Sequence, residues 1–206
     1  MKTSITYKIA FLMLIPVIGA MITLGMFYVH LTQMATDVSM INAAGHQRML
    51  SRQLFIHAGV VRHGYEGDRA VLRETRDTFE QALRVLEGSG QTIGRDISPI
   101  PAQASAELAR LSKTWARYQQ AVSRLATLPV DDPQALAAFT YINENARQLA
   151  DDTDQLVTAL QIHNKQRQQR MLYTLGTIAA FDLLLHINLR SNRRSRAHSS
   201  VGRARR

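Results

Sequence analysis

The sequence predicts an all-α protein: an antiparallel four-helix bundle flanked by two transmembrane helices. Three observations carry that expectation. Residues 9–29 contain no charged side chain. Apolar residues between 30 and 170 recur at alternating spacings of three and four, the pattern of one helix face, while strand-like alternation is nearly absent. Clusters of Gly, Pro and Asp divide this middle stretch into four helical pieces.

The first span, Ile9 to Val29, has 21 residues. That is about 31 Å of helix, against roughly 30 Å of hydrocarbon core. Pro16 and Gly19 are tolerable in a membrane helix. A cleaved signal peptide has a shorter apolar region followed by a small-residue cleavage site. This run is longer and no such site follows, so the span is expected to remain. The second span, Met171 to Leu189, is interrupted by Asp182 and His186. These stand four apart, share a helix face and could pair. Each charge near a bilayer centre costs about 2.5–3.5 kcal/mol, which Leu-rich surroundings can offset. They read either as an intramembrane functional pair or as an atypical chain end.

Charge placement sets the orientation. Lys and Arg number 2, 16 and 7 in residues 1–29, 30–170 and 171–206, and Asp and Glu number 0, 15 and 1. The middle is nearly neutral and the basic excess lies at the two ends. Lys2 and Lys8 precede the first span. Arg190, Arg193, Arg194, Arg196, Arg203, Arg205 and Arg206 follow the second. Positive flanks stay in the cytoplasm, so both termini are expected inside and residues 30–170 outside. The segments are then 1–8, 9–29, 30–170, 171–189 and 190–206. The tail from Ser191 reads as a topology anchor, with a lost reading frame as the other explanation. It has neither apolar periodicity nor interleaved aromatic residues, and a folded nucleic-acid binder would carry its basic residues on its domain. Nucleic acid is not an expected partner. Only 17 residues follow the second span, too few for a kinase, a cyclase or a coiled-coil signalling hairpin. Any output is therefore expected from a separate cytoplasmic signalling protein.

Several chemistries are excluded. With no Cys, disulfides, zinc knuckles, iron–sulfur ligation and thiol catalysis are removed together. His46, His57, His63 and His163 lack metal-ligand spacing. Residues 88–94 miss the dinucleotide-binding glycine spacing and follow no strand. No nucleophile or acid–base constellation stands out. No cofactor, no metal and no enzymatic activity are expected.

The four helices are predicted at 30–63, 69–87, 102–128 and 134–170. Leu72, Phe79, Leu83 and Leu86 mark the second. Leu108, Leu111, Trp115, Tyr118, Val122 and Leu125 mark the third, and Phe139, Ile142, Ala146, Leu149, Thr153, Leu156 and Leu160 the fourth. Turns fall at 63–68, 88–101 and 129–133. Asp132 suits an N-cap, with Pro133 at the first helical position.

The first helix carries the most information. At about 100° per residue, Ala43, Gln47, Leu50, Leu54, Ala58 and Val61 share a face, the natural core stripe. Gly45, Met49, Arg52 and Ile56 lie nearly opposite, with Arg48 at the edge. A helix with two non-trivial faces has two partners: its own bundle and, for the outer face, a second subunit. Gly45 in mid-helix costs about 1 kcal/mol against Ala, which a close helix approach would explain. Arg48 and Arg52 stand one turn apart, and guanidinium donors suit small planar oxyanions. At a two-fold axis each would be duplicated. The plainer alternative is two solvated arginines with Glu66 or other acids nearby.

Residues 41–54 resemble the box that opens the type IV pili methyl-accepting chemotaxis transducer N-terminal domain, which is similar to one in nitrate/nitrite sensor kinases. That pattern runs Ile-Asn-x-Ala-Gly-x-x-Arg-Met-x-Ser-x-Arg. The chain matches at Ile41, Asn42, Ala44, Gly45, Arg48, Met49 and Ser51. The resemblance implies a periplasmic, homodimeric four-helix sensor in a bacterial inner membrane. It also implies a small anion such as nitrate or nitrite gripped at the dimer interface by the arginine before the Met, Arg48, with Asn42, Met49, Arg52 and Gln53 around it. The pattern's last arginine is replaced here by Gln53, and an arginine sits one residue earlier, at Arg52.

Overall fold

The computed structural model describes residues 5–65, 67–88 and 100–203. Lys2, Glu66 and most of the predicted turn at 88–101 lie outside the described residues, as do the side chains of Asp182 and His186. Four helices account for nearly all of the rest: α1 (Ile5–Arg62), α2 (Asp68–Leu86), α3 (Ser105–Thr127) and α4 (Pro133–Arg203). No strand occurs among the described residues. The first predicted span and first predicted bundle helix are one unbroken helix, α1. The fourth bundle helix, the second span and the basic segment to Arg203 are likewise one helix, α4.

Helix ends follow from local chemistry. Asp132 caps α4 as its sequence suggests: its Oδ1 accepts from Gln134 N at 2.7 Å and its carbonyl from Leu136 N at 3.1 Å. Pro133 is the first helical residue, where its missing N–H costs nothing. α2 closes through Gly88 at φ +80, whose N–H donates to Val85 O at 3.1 Å, a conformation that glycine adopts without the Cβ penalty. The predicted third helix starts later than its spacing indicates. Extended Pro101 leads into a 3₁₀ turn, Ala102–Ala104, and the α-helix proper begins at Ser105.

The chain forms two compact units, Gln33–Lys165 and the pair of segments Met1–Thr32 and Gln166–Arg206. In the first unit all four helices feed one apolar core. Leu50, Leu54, Ala58 and Val61 come from α1, and Leu72, Phe79, Leu83 and Leu86 from α2. Leu111, Trp115, Tyr118, Val122 and Leu125 come from α3, and Ile142, Leu149, Leu156 and Leu160 from α4. The predicted stripes are buried for the most part, with Leu108 and Phe139 partly buried at their ends. Ala146 is partly buried, and Ala44 is buried in place of the predicted Ala43, which is itself partly buried.

Cross-links fix the direction of α2 against α3. Arg69 Nη1 donates to Leu128 O at 2.6 Å, Arg76 Nη1 to Ser123 Oγ at 2.9 Å, and Ser112 Oγ to Glu87 Oε1 at 2.6 Å. Between them the Phe79 and Trp115 rings stack with centroids 4.1 Å apart, and Trp115 Nε1 donates to Glu80. Positions rise along α2 as they fall along α3, so these two helices are antiparallel. α3 and α4 show the same order: Thr114 Oγ1 donates to Asp152 Oδ2 at 2.6 Å, and Arg110 donates to Gln155.

The second unit has the opposite character. Leu14, Val17, Ile18, Met21, Ile22, Leu24, Phe27 and Tyr28 of α1 are exposed, as are Leu172, Tyr173, Phe181, Leu183 and Leu184 of α4. The α1 stretch from Val17 onward is long and apolar enough to cross a membrane by length and composition. The second predicted span, Met171–Leu189, is described only in part, since the side chains at 182, 185, 186, 188 and 189 lie outside the described residues.

Candidate functional site

The predicted box lies on a surface of α1, and it is split by the helical turn into an inner and an outer half. On the inner side Ala44, Gln47, Leu50, Ser51 and Leu54 are buried. Gln47 is a polar member of the core stripe. Its Nε2 donates to Phe79 O at 2.9 Å, fastening α1 to α2. Its Oε1 is buried with no hydrogen-bond partner. Ser51 Oγ turns back onto its own helix and donates to Arg48 O at 2.9 Å.

On the outer side Asn42, Met49, Arg52 and Ile56 are exposed, while Gly45 and Gln53 are partly buried. Met49 retains 46% of its accessible surface and Ile56 58%. With Val38 and Gly59, the outer residues 38, 42, 45, 49, 52, 56 and 59 are spaced 4-3-4-3-4-3. That is the spacing of a coiled-coil seam, carried here by Val38, Met49 and Ile56 with Asn42, Arg52 and two glycines between them. The close approach expected at Gly45 is not made among the described residues: a Cβ built on Gly45 meets nothing within 4 Å, and the same holds at Gly59.

Arg48 sits at the edge between the halves. Its Nε lies 2.6 Å from Asp154 Oδ1 of α4, with the two side chains 48% and 41% exposed. The approach is an ion pair whose N–H is not aligned as a hydrogen bond, so that buried oxygen lacks a hydrogen-bond partner. Arg52, one turn on, makes no ion pair among the described residues. The two arginines thus stand on one side of the helix in different states: Arg48 paired across to α4, Arg52 in solvent.

Asp154 was not among the residues expected from the sequence. The signal available was the acidic run Asp151, Asp152 and Asp154, which flanks the buried Thr153 of the α4 stripe. Its members have different roles. Asp152 is fully buried, its carboxylate held by the neutral donors Thr114 Oγ1 at 2.6 Å and Gln148 Nε2 at 2.8 Å. Asp151 is exposed beside Arg147, and Asp154 takes Arg48.

The shared core holds another buried polar group without a hydrogen-bond partner. Tyr118 is fully buried and its Oη lacks a hydrogen-bond partner. Burial pushes its phenol well above the ordinary tyrosine range, and the neighbouring Tyr141 adds to the rise. An open depression of about 520 Å³ lies on α3, lined by Ala116, Gln119, Gln120, Ser123 and Arg124, and includes none of the predicted site residues. No cluster of three metal-ligating side chains occurs among the described residues.

The PilJ family model, described as the type IV pili methyl-accepting chemotaxis transducer N-terminal domain, matches residues 29–138. The match takes in α1 from Val29, all of α2 and α3, and the start of α4. The whole box lies inside it and Asp154 lies beyond it. No curated protein matches the chain. A match over more than half of the chain, with the box on an exposed helix face and four helices sharing one core, makes this protein a member of the type IV pili methyl-accepting chemotaxis transducer N-terminal family.

Proposed function

We propose that the chain is the ligand-binding module of a bacterial membrane receptor for signal transduction or chemotaxis. In this reading residues 30–170 form an antiparallel four-helix bundle in the periplasm. Two spans hold it in the inner membrane and both termini are cytoplasmic. The exposed apolar side chains between Leu14 and Leu31 and between Leu172 and Ile187 support the membrane assignment, since so many exposed apolar residues in one stretch mark an interaction surface. The basic flanks support the orientation.

The observation that carries the proposal is the outer seam of α1. Met49 and Ile56 are exposed in a heptad register with Gly45 and Gly59, and nothing among the described residues covers them. Two copies paired along this seam would bring both Arg48 side chains, and both Arg52 side chains, to one two-fold axis. A small oxyanion such as nitrate or nitrite would be gripped there from both subunits by the guanidinium forks. Because α1 and α4 are each unbroken helices, a shift of one against the other is the natural output, passed through the spans.

A second reading has its own support. Gln53 stands where the family pattern has arginine, and Asp154 already pairs with Arg48. Both favour a membrane adaptor, or a receptor remnant, that docks a partner without binding an anion. Thermal unfolding of the full chain in lipid nanodiscs separates the two. The sensor reading expects sodium nitrate or nitrite to raise the midpoint, and Arg48→Ala to abolish the rise. No shift with any small anion supports the adaptor. At a hundredfold excess over Kd, binding to the folded state alone contributes about 2.7 kcal/mol, enough to be read as several degrees.

A further inference from the structure

Arg48 can grip an anion only with whatever Asp154 leaves free. Asp154 Oδ1 lies 2.6 Å from Arg48 Nε, yet this oxygen is shielded from solvent and makes no hydrogen bond. The contact is electrostatically favourable and geometrically poor, whereas a planar oxyanion can take two parallel N–H groups from the same guanidinium. An oxyanion seated on Arg48 would also lie within a few ångströms of the Asp154 carboxylate and be repelled by it. Both residues belong to the compact unit Gln33–Lys165, one on α1 and one on α4.

We propose that Asp154 is a built-in rival for Arg48: an oxyanion takes the guanidinium from this carboxylate, and in doing so releases α4 from α1. This rests on the anion-sensor reading and adds to it a regulatory residue. Asp154 couples ligand binding to the α1–α4 contact. It also sets charge selectivity, because each subunit would present an arginine already half neutralised. A monoanion is then tolerated and a dianion such as sulfate is repelled more strongly.

The test uses the full chain in nanodiscs and isothermal titration with sodium nitrate and sodium sulfate. Asp154→Asn keeps the shape and removes the charge. It is expected to tighten nitrate roughly five- to tenfold, the scale of one unit charge at a half-exposed site, and to tighten sulfate more. Asp154→Glu, which keeps the charge, is expected to stay near the wild-type affinity and controls for folding. Nitrate binding seen only in Asp154→Asn would mean that the carboxylate closes the site outright, and would overturn the exchange. Because the chain has no native Cys, spin labels at His46→Cys and Asp151→Cys report the α1–α4 distance. It should lengthen when nitrate binds the labelled protein and stay constant once Asp154→Asn is added. If Arg48→Ala abolishes nitrate binding while Asp154→Asn leaves it unchanged or weaker, the rivalry is wrong and the sensor reading stands. If neither the wild type nor Asp154→Asn binds nitrate or sulfate, both fall. A distance that ignores bound nitrate overturns the release step.

Discussion

Gln47 and Arg48 are neighbours in sequence and opposites in environment. Gln47 is fully buried and tied to Phe79 O of α2, while Arg48 is half exposed and paired with Asp154 of α4. The same division runs along the whole box. Leu50, Ser51 and Leu54 face the core, and Asn42, Met49, Arg52 and Ile56 face out. One motif therefore serves two purposes. Its inner half holds α1 in the bundle, and its outer half is free to meet something else. Residues that look equally important in the pattern should fail in different ways when changed.

The largest expected effect lies on the inner half. Leu54 is fully buried in the shared core, so Leu54→Ala should cost about 2–5 kcal/mol through lost transfer energy and a residual cavity. Ile56, two residues on, is 58% exposed, and Ile56→Ala should stay within about 0.5 kcal/mol in a dilute, monomeric sample. Denaturant melts of both variants measure this directly. Equal losses would mean that the outer face is covered and that the division is wrong. If the outer seam self-associates, Ile56→Ala should instead make the midpoint less dependent on protein concentration.

That division was legible before any coordinates, because a 3.6-residue period decides which side chains of a helix are buried. Leu72, Phe79, Trp115, Ile142 and Leu156 follow the same rule. Asp132 was legible for a different reason: Asp-Pro after a turn has few other uses. The partner of Arg48 was not legible. Which acid reaches it depends on the rotation and axial offset of α4 against α1, and no periodicity within either helix sets those. The start of α3 was missed by three residues because apolar spacing does not distinguish a 3₁₀ turn from the first turn of an α-helix. The hydrogen bond of Gln47 was hidden inside a stripe that reads as plain core.

Tyr118 sharpens the account of the inner side, where Gln47 Oε1 is also buried without a partner. Removing a hydroxyl that has no hydrogen bond returns its desolvation cost. Tyr118→Phe should therefore be neutral or stabilising by up to about 1 kcal/mol near pH 7. The pH dependence has a definite sign. The folded phenol titrates above its ordinary value because of burial, with Tyr141 contributing. The unfolded chain titrates near pH 10, the free value. Above that pH the unfolded state loses a proton that the folded state keeps, so stability is intact below about pH 10 and falls as pH rises past it. Urea melts at pH 8, 10 and 11 should show this decline in the wild type and a shallower one in Tyr118→Phe. A loss above 1 kcal/mol at pH 7 would reveal a partner for the hydroxyl.

Gly45 gives a small effect on folding and the sharpest test of the outer half. A Cβ at this position meets nothing within 4 Å, and the residue lies in mid-helix. Ala is better than Gly there by about 0.5–1 kcal/mol, through helix propensity and reduced freedom of the unfolded chain. Gly45→Ala should raise the stability of the isolated chain by that amount. If two copies pack along residues 38, 42, 45, 49, 52, 56 and 59, the added methyl group stands in the seam where the backbones come closest. The same substitution should then weaken self-association, measured by sedimentation equilibrium in matched detergent. Folding and assembly would move in opposite directions from one methyl group. A substitution that stabilises the fold and leaves assembly untouched would mean that the seam is not where copies meet, and the reason for a glycine at 45 would have to be sought in the chain's own motions.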